Sequence, residues 1–378
     1  MNKLNLPWRF AAAVGIASWL LLTAAQAASE AAAQGAAAPG NAPANNKDAS
    51  GQPAAFWLVR PEQTEPKIRQ WAAKHPKLVS LEEQQTYTGR KAYAVTVTDP
   101  QVDDKAKKKL LFSQPHAHEP ASTAAMMDFL SQVLDGVHVD GQKSALAYEN
   151  LLQKVVLTFI PDGNPDGRAR APEDWWDGAK YANRDFGKFM FGRAKDGSRC
   201  PRLGRWSTRD IQPEFIGIAY EQISEDEYVE PNRDRASTYF RLLTRMLGKY
   251  HYDAHLDLHQ TEFEGSKYNA KVVLPFSQQD LPEPIRNFNQ QSGESIVKAW
   301  REMGATPLPR VDPLDYQEDQ LRYFRTCWGE IYRTVPSLMI EVQNNNRRTP
   351  PREQMRITET AIQASIDFVL SAKGSPSR

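Results

Sequence analysis

Histidines and carboxylates recur in this chain at spacings that suit a bound cation. After the apolar run Leu110-Leu-Phe112 the sequence reads Ser113-Gln-Pro-His116-Ala-His118-Glu119-Pro120, a His-x-x-Glu at a strand-to-helix junction. Such spacing lets an imidazole and a carboxylate converge on one ion from a tight turn, and this mix of nitrogen and oxygen ligands suits zinc. His118, adjacent to Glu119, is awkward for joint ligation and reads as a residue behind the ligands or on the surface. A third ligand must come from another strand end, and Asp253-Ala-His255-Leu-Asp257-Leu-His259-Gln260 offers one. Along a strand His255, Asp257 and His259 share a face. His259 is nearest the carboxyl end and is taken as the ligand, with His255 packed and Asp257 orienting a histidine. His75, His138 and His251 fall in solvent-facing or loop contexts and receive no role.

Two further groups could act on a substrate. Pro336-Ser-Leu-Met-Ile-Glu341-Val342 puts one carboxylate inside an apolar strand. An unpaired buried Glu is costly, so Glu341 needs a functional reason or a cationic partner. The run Val155 to Ile160 is followed by Pro161-Asp-Gly-Asn164-Pro-Asp-Gly167 and, further on, by Asn183-Arg184. An Arg beside an Asn can bind a carboxylate through paired charge-assisted hydrogen bonds that Lys could not reproduce. A surface salt bridge is the alternative for Arg184.

The elements that must position these groups follow from periodicity. Helical spacing appears over residues 61–75, 122–134, 236–247, 285–300 and 355–370, and strand-like runs over 93–98, 110–112, 155–160, 254–258, 270–274 and 338–342. The alternation predicts an α/β sheet covered by helices, with the ligand site beyond the carboxyl ends of the strands.

Composition narrows the function classes. The 378 residues carry 47 Lys+Arg against 46 Asp+Glu, a balance that argues against a nucleic-acid-binding surface. With 40% hydrophobic residues and nine Trp there is ample core material. Two cysteines are too few for a disulfide scaffold or a thiolate zinc cluster. Cys200 and Cys327 lie in loop-like sequence and could form one disulfide in an oxidising compartment, with two buried thiols as the alternative. Residues 1–27 carry Lys3 and Arg9, an apolar run and Ala25-Gln-Ala27, the pattern of a signal peptide cut before Ala28. No later stretch approaches the roughly 20 apolar residues a membrane span requires. Residues 28–55, rich in Ala, Gly, Pro and Asn, read as a disordered linker. One domain over 56–373 and a flexible tail over 374–378 complete the expected organisation, that of a periplasmic or secreted protein.

In this order, the motifs resemble those of the zinc metallocarboxypeptidases of the carboxypeptidase A type. The matching pieces are His116-x-x-Glu119, Asn164-Pro-Asp-Gly167, Asn183-Arg184, His259 and Glu341, spread over most of the expected domain. The resemblance implies a three-layer α/β/α sandwich with a mixed, largely parallel central sheet. It implies one zinc ion on His116, Glu119 and His259, Asn183 and Arg184 on the substrate's terminal carboxylate, and Glu341 as general base. An open position on zinc would hold a water of pKa roughly 7, whose proton Glu341 takes. The family usually has a further Arg that polarises the carbonyl. Here Arg168 and Arg170 are the candidates in the corresponding interval, and Arg170 is preferred. The mobile Tyr of the family corresponds to Tyr316 or Tyr323.

The implied substrate is a peptide, derived from protein or from peptidoglycan stems, with a free C-terminal carboxylate. An N-acyl amino acid deacylase or related amidohydrolase of similar fold is the first alternative. A catalytically silent peptide-binding homologue, suggested by the displaced activating Arg, is the second.

Overall fold

The computed structural model describes residues 55–146, 150–314 and 316–372. The expected signal peptide, the linker up to residue 54 and the tail lie outside the described residues. The sheet is built from β1 (Val79–Gln85), β2 (Lys91–Val97), β3 (Lys108–Ser113), β4 (Val155–Ile160), β5 (Ala254–Thr261), β6 (Ala270–Leu274), β7 (Asp312–Pro313) and β8 (Ser337–Gln343). Their order is β1-β2-β4-β3-β5-β8-β6-β7. The central strands β4, β3, β5 and β8 run parallel, while β1, β2 and β6 pair antiparallel with their inner neighbours.

Period-2 alternation sorts the strand side chains into two layers. Leu110, Phe112, Leu256, Leu258, Leu338, Ile340 and Val342 enter one core. It is covered by α1 (Pro61–Lys74), α2 (Pro120–Asp135), α6 (Glu283–Glu302) and α8 (Pro351–Ser371). Leu111 and Ile160 face the other side, under α5 (Thr238–Lys249) and α7 (Glu318–Thr334). Two shorter helices, α3 (Pro165–Arg170) and α4 (Asn183–Phe191), follow β4. The result is the three-layer α/β/α sandwich with a mixed sheet that the sequence implied. Burying both faces explains why β3 and β4 read as continuous apolar runs.

Two elements differ from expectation. β1 is a half-exposed edge strand whose Glu and Gln residues mask its alternation. Cys327 does not sit in a loop: it lies in α7, whose buried stripe Phe324, Cys327, Trp328, Ile331 and Tyr332 has helical spacing. Cys200 and Cys327 are buried free thiols. Among the described residues, no helix is long and apolar enough to cross a membrane.

Candidate metal centre

The site forms where β3, β5 and β8 end. The backbone leaves β3 at Ser113 and turns through His116 to Glu119, which precedes the Pro that begins α2. Buried Arg168 holds this turn, its Nη1 donating to the Ala117 carbonyl at 3.0 Å. On β5 the alternation turns His255, Asp257 and His259 away from the Leu256–Leu258 core. The parallel register sets His259 beside Glu341 of β8.

His116, Glu119 and His259 are all buried, and one ligand atom from each lies within 4.8 Å of the others. His116 Nδ1 is 2.9 Å from Glu119 Oε1, and His259 Nδ1 is 3.1 Å from Glu119 Oε2 and 3.1 Å from His116 Nδ1. The opposite ring nitrogens have carboxylate partners. His116 Nε2 lies 2.9 Å from Glu230 Oε1, and His259 Nε2 lies 2.9 Å from Asp257 Oδ2. With each Nε2–H directed at its carboxylate, the two Nδ1 atoms point at one spot 3.1 Å apart, where a proton or a cation must hold them together. Glu119 Oε2 is enclosed there without a hydrogen bond. A cation between them relieves both problems, so the residues fit a zinc site.

The electrostatics agree with that geometry. Burial opposes the Glu119 charge, but His116 and His259 outweigh it and hold the carboxyl well below its ordinary range. Burial pushes His116 down, with Glu119 resisting. His259 stays well above its ordinary value because Asp257 and Glu119 overcome its burial. Burial raises Glu341, whose Oε2 is enclosed and without a hydrogen bond; Lys271 and His259 pull the other way.

Asp257 is itself anchored. Ser113 Oγ donates to its Oδ1 at 2.7 Å, and the Tyr239 hydroxyl reaches the same oxygen at 3.2 Å. His255 Nε2 lies 2.8 Å from Ser113 Oγ, and its ring stacks on Trp328, so it is packed behind the site. His118 is buried, with its ring stacked on His116 and Nε2 3.3 Å from Glu119 Oε1. It lies behind the ligands rather than on the surface.

The expected substrate-binding residues divide. Arg184 is 82% exposed, with the neighbouring Asp185 as its ion-pair partner, and Asn183 bonds to Asn345. Neither is brought to the cluster. Arg170 is also elsewhere: its guanidinium donates to the Tyr220 and Gly217 carbonyls. Tyr323 packs against Gly204. Tyr316 instead packs its ring 4.6 Å from that of Phe324, within the field of Glu341, Arg233 and Arg202. Burial and the Glu341 carboxylate hold its hydroxyl above the ordinary range, against Arg233 and Arg202.

What the sequence reading missed is Glu230-Pro231-Asn232-Arg233, a second Asn-Arg pair two residues after a carboxylate. Glu230 is a hub: Oε1 faces His116, while Oε2 takes Arg202 Nε at 3.0 Å and touches Arg233 Nη1. Asn232 and Arg233 are buried, and Asn232 Oδ1 and Arg233 Nε have no hydrogen-bond partner among the described residues. Burial pushes both guanidiniums down, most strongly at Arg233, where repulsion from Arg202 adds to it. The signal was the Asn-Arg dipeptide itself, hidden behind a long insertion.

A three-layer α/β/α domain with a His-Glu-His cluster at the carboxyl edge of its sheet is thus defined. The family model described as zinc carboxypeptidase, Peptidase_M14, matches residues 64–256. The chain belongs to the zinc carboxypeptidase family. That match includes His116, Glu119 and the segment from Glu230 to Arg233; His259 and Glu341 lie beyond its end.

Among solved structures, the chain resembles carboxypeptidase A from Helicoverpa armigera at 13% identity and TM-score 0.55, covering 94% of this chain and 81% of that one. A metallo-carboxypeptidase from Burkholderia cenocepacia is similar at 16% identity and TM-score 0.51, covering 82% and 68%. Bovine thrombin-activatable fibrinolysis inhibitor, solved in complex with tick carboxypeptidase inhibitor, is similar at 14% identity and TM-score 0.51, covering 84% and 97%. These likenesses are of fold. No curated protein matches.

Proposed function

We propose that this protein is an exported zinc metallocarboxypeptidase that hydrolyses the last amide bond of peptides with a free C-terminal carboxylate. The observation that carries the reading is the convergence of His116 Nδ1, Glu119 and His259 Nδ1 beside the enclosed Glu341 carboxylate. A zinc ion on those three residues supplies Lewis acidity when bound, polarising the scissile carbonyl and making water acidic enough to lose a proton near neutral pH. Glu341 accepts that proton and returns it to the leaving amine. Its burial favours this role, because raising a carboxyl toward neutrality makes it a better base and then a better acid.

Arg233, with Asn232, takes the role first expected of Arg184 and Asn183. Its enclosed guanidinium, with Nε free, suits a bidentate grip on a terminal carboxylate. Arg202, held on Glu230, takes the role expected of Arg170 and stabilises charge that builds on the carbonyl oxygen. Tyr316 covers the substrate. With two guanidiniums at the cluster, the missing activating Arg that motivated a silent homologue is supplied from further along the chain.

Export rests on the N-terminal pattern of residues 1–27, and substrates from protein or peptidoglycan stems fit the free-carboxylate requirement equally. Protein recovered from the periplasm should begin at Ala28 by mass spectrometry. The deciding experiment incubates zinc-loaded protein with a mixed peptide library and its C-terminally amidated counterpart. Single residues should leave the acids and not the amides. Glu341→Gln should keep its zinc and lose about a thousandfold in kcat. Binding without turnover by the zinc-loaded wild type would favour the silent reading instead.

A further inference from the structure

Lys271 stands one strand beyond the general base, on the same face of the sheet. The antiparallel register of β6 and β8 sets Lys271 opposite Glu341 and Val273 opposite Met339. Directly opposed residues have Cβ atoms about 5 Å apart. The Lys271 ammonium makes no ion pair within 4.0 Å among the described residues. Instead it lies over the Phe263 ring, 5.1 Å from its centroid. Phe263 has φ of 46°, a backbone state that a bulky residue rarely adopts and that tends to mark functional sites. A half-buried cation resting on a strained aromatic residue, with the Glu341 carboxylate acting on it through space but no close ion pair, is placed to meet a charge that the substrate brings.

A small cavity of about 10 Å³ lies one step further along the two strands, with Lys271 outside its lining. Val273 and Met339, the next positions along the two strands on that face, line it together with Phe276, Tyr316 and Phe324. Phe324 also lies under the Arg233 guanidinium, 5.3 Å from its ring centroid. A C-terminal residue whose carboxylate is held by Arg233 would therefore lay its side chain along Phe324 and Tyr316, toward the edge where Lys271 stands.

Resting on the carboxypeptidase reading above, we propose that Lys271 reads the side chain of the substrate's C-terminal residue and selects an acidic one. The apolar walls part to take the methylene stem, and the ammonium takes the carboxylate. Glu262, just past the end of β5, is the competing charge. It sits toward Arg202, Glu341 and Glu119, on the metal-cluster side.

The test uses zinc-loaded full-length protein and three acylated tripeptides that differ only in ending with Glu, Gln or Lys. The Glu peptide should exceed the Gln peptide in kcat/KM by about tenfold or more, with Lys lowest. Lys271→Met should bring the Glu/Gln ratio near one, Lys271→Arg should keep it, and Lys271→Glu should invert the Glu/Lys order. Calorimetry gives a readout independent of turnover: free glutamate should bind the wild type more tightly than glutamine, and this difference should vanish in Lys271→Met. A wild-type ratio near one, or a preference for Lys, overturns the inference and leaves the carboxypeptidase reading standing. Equal losses on all three peptides in Lys271→Met also overturn it, since Lys271 would then act through Glu341. Release of no residue from any peptide by zinc-loaded protein sinks the carboxypeptidase reading, and this inference with it.

Discussion

At the scale of single residues, the site depends on which nitrogen of each histidine is engaged. Glu230 and Asp257 hold the Nε2 sides, which leaves the Nδ1 sides for a shared ion. Glu230→Gln should weaken zinc binding about 10- to 100-fold in a competition titration against a chelator, because it loses charge behind His116 and loosens two arginines. The two Asn-Arg pairs can be told apart by kinetics. Arg233→Lys should raise KM for free-acid peptides by about tenfold or more, since an ammonium cannot form the paired hydrogen bonds of the guanidinium. Arg184→Ala, on an 82% exposed side chain, should stay within about twofold. A reversal of these outcomes would return the carboxylate-binding role to α4. Both pairs were legible as dipeptides. What distinguishes them is burial, and burial is set by the chain segments that pack around each.

At the scale of elements, strand register and helix packing do the positioning. β5 and β8 bring His259 and Glu341 side by side although 82 residues separate them in sequence. α7 then closes the face, with Trp328 stacking on His255 and donating from Nε1 to the Asn232 carbonyl at 2.9 Å. Its apolar spacing was readable, but its charged residues and Gly329 weakened the signal. On the opposite face, α1 is clasped to the end of α2 by Asp135, which receives Lys74 at 2.6 Å, His75 at 2.9 Å and the Trp71 indole at 3.0 Å. Burial raises this carboxyl, but the three hydrogen bonds outweigh it and bring it down to about 2 from an ordinary 3.8. A depressed acid stabilises the fold above its unfolded value and loses that contribution as pH falls through its folded one. Asp135→Asn should therefore cost on the order of 2 kcal/mol at neutral pH. The gap from wild type should close between about pH 4 and pH 2 in denaturant titrations. A gap that persists below that window would assign the loss to packing.

At the scale of the whole molecule, the ligands come from segments far apart in the chain, so metal binding should be linked to global stability. Chelation of the zinc-loaded wild type should lower Tm by about 5–10 °C. His259→Ala, lacking a ligand, should show low zinc content and little response to chelator. Full zinc occupancy in that variant would move the ligand to His255. The near-neutral charge balance conceals a site where charge is dense: Glu119, Glu230, Asp257, Glu262 and Glu341 face Arg202, Arg233 and Lys271 around one small volume.

What the sequence by itself determined was local. Period-2 and period-3.6 spacing is set by backbone geometry, so most of the sandwich, and the shared face of His255, Asp257 and His259, could be read directly. The His-x-x-Glu turn is likewise a short-range constraint. What only the tertiary structure decided were pairings across long intervals: Glu230 on His116, Arg233 and Arg202 on Glu230, Tyr316 against Phe324, and Lys271 beside Glu341. Those depend on which segments share a low-dielectric interior, where an unpaired charge is costly. Only the folded chain determines which charges meet there.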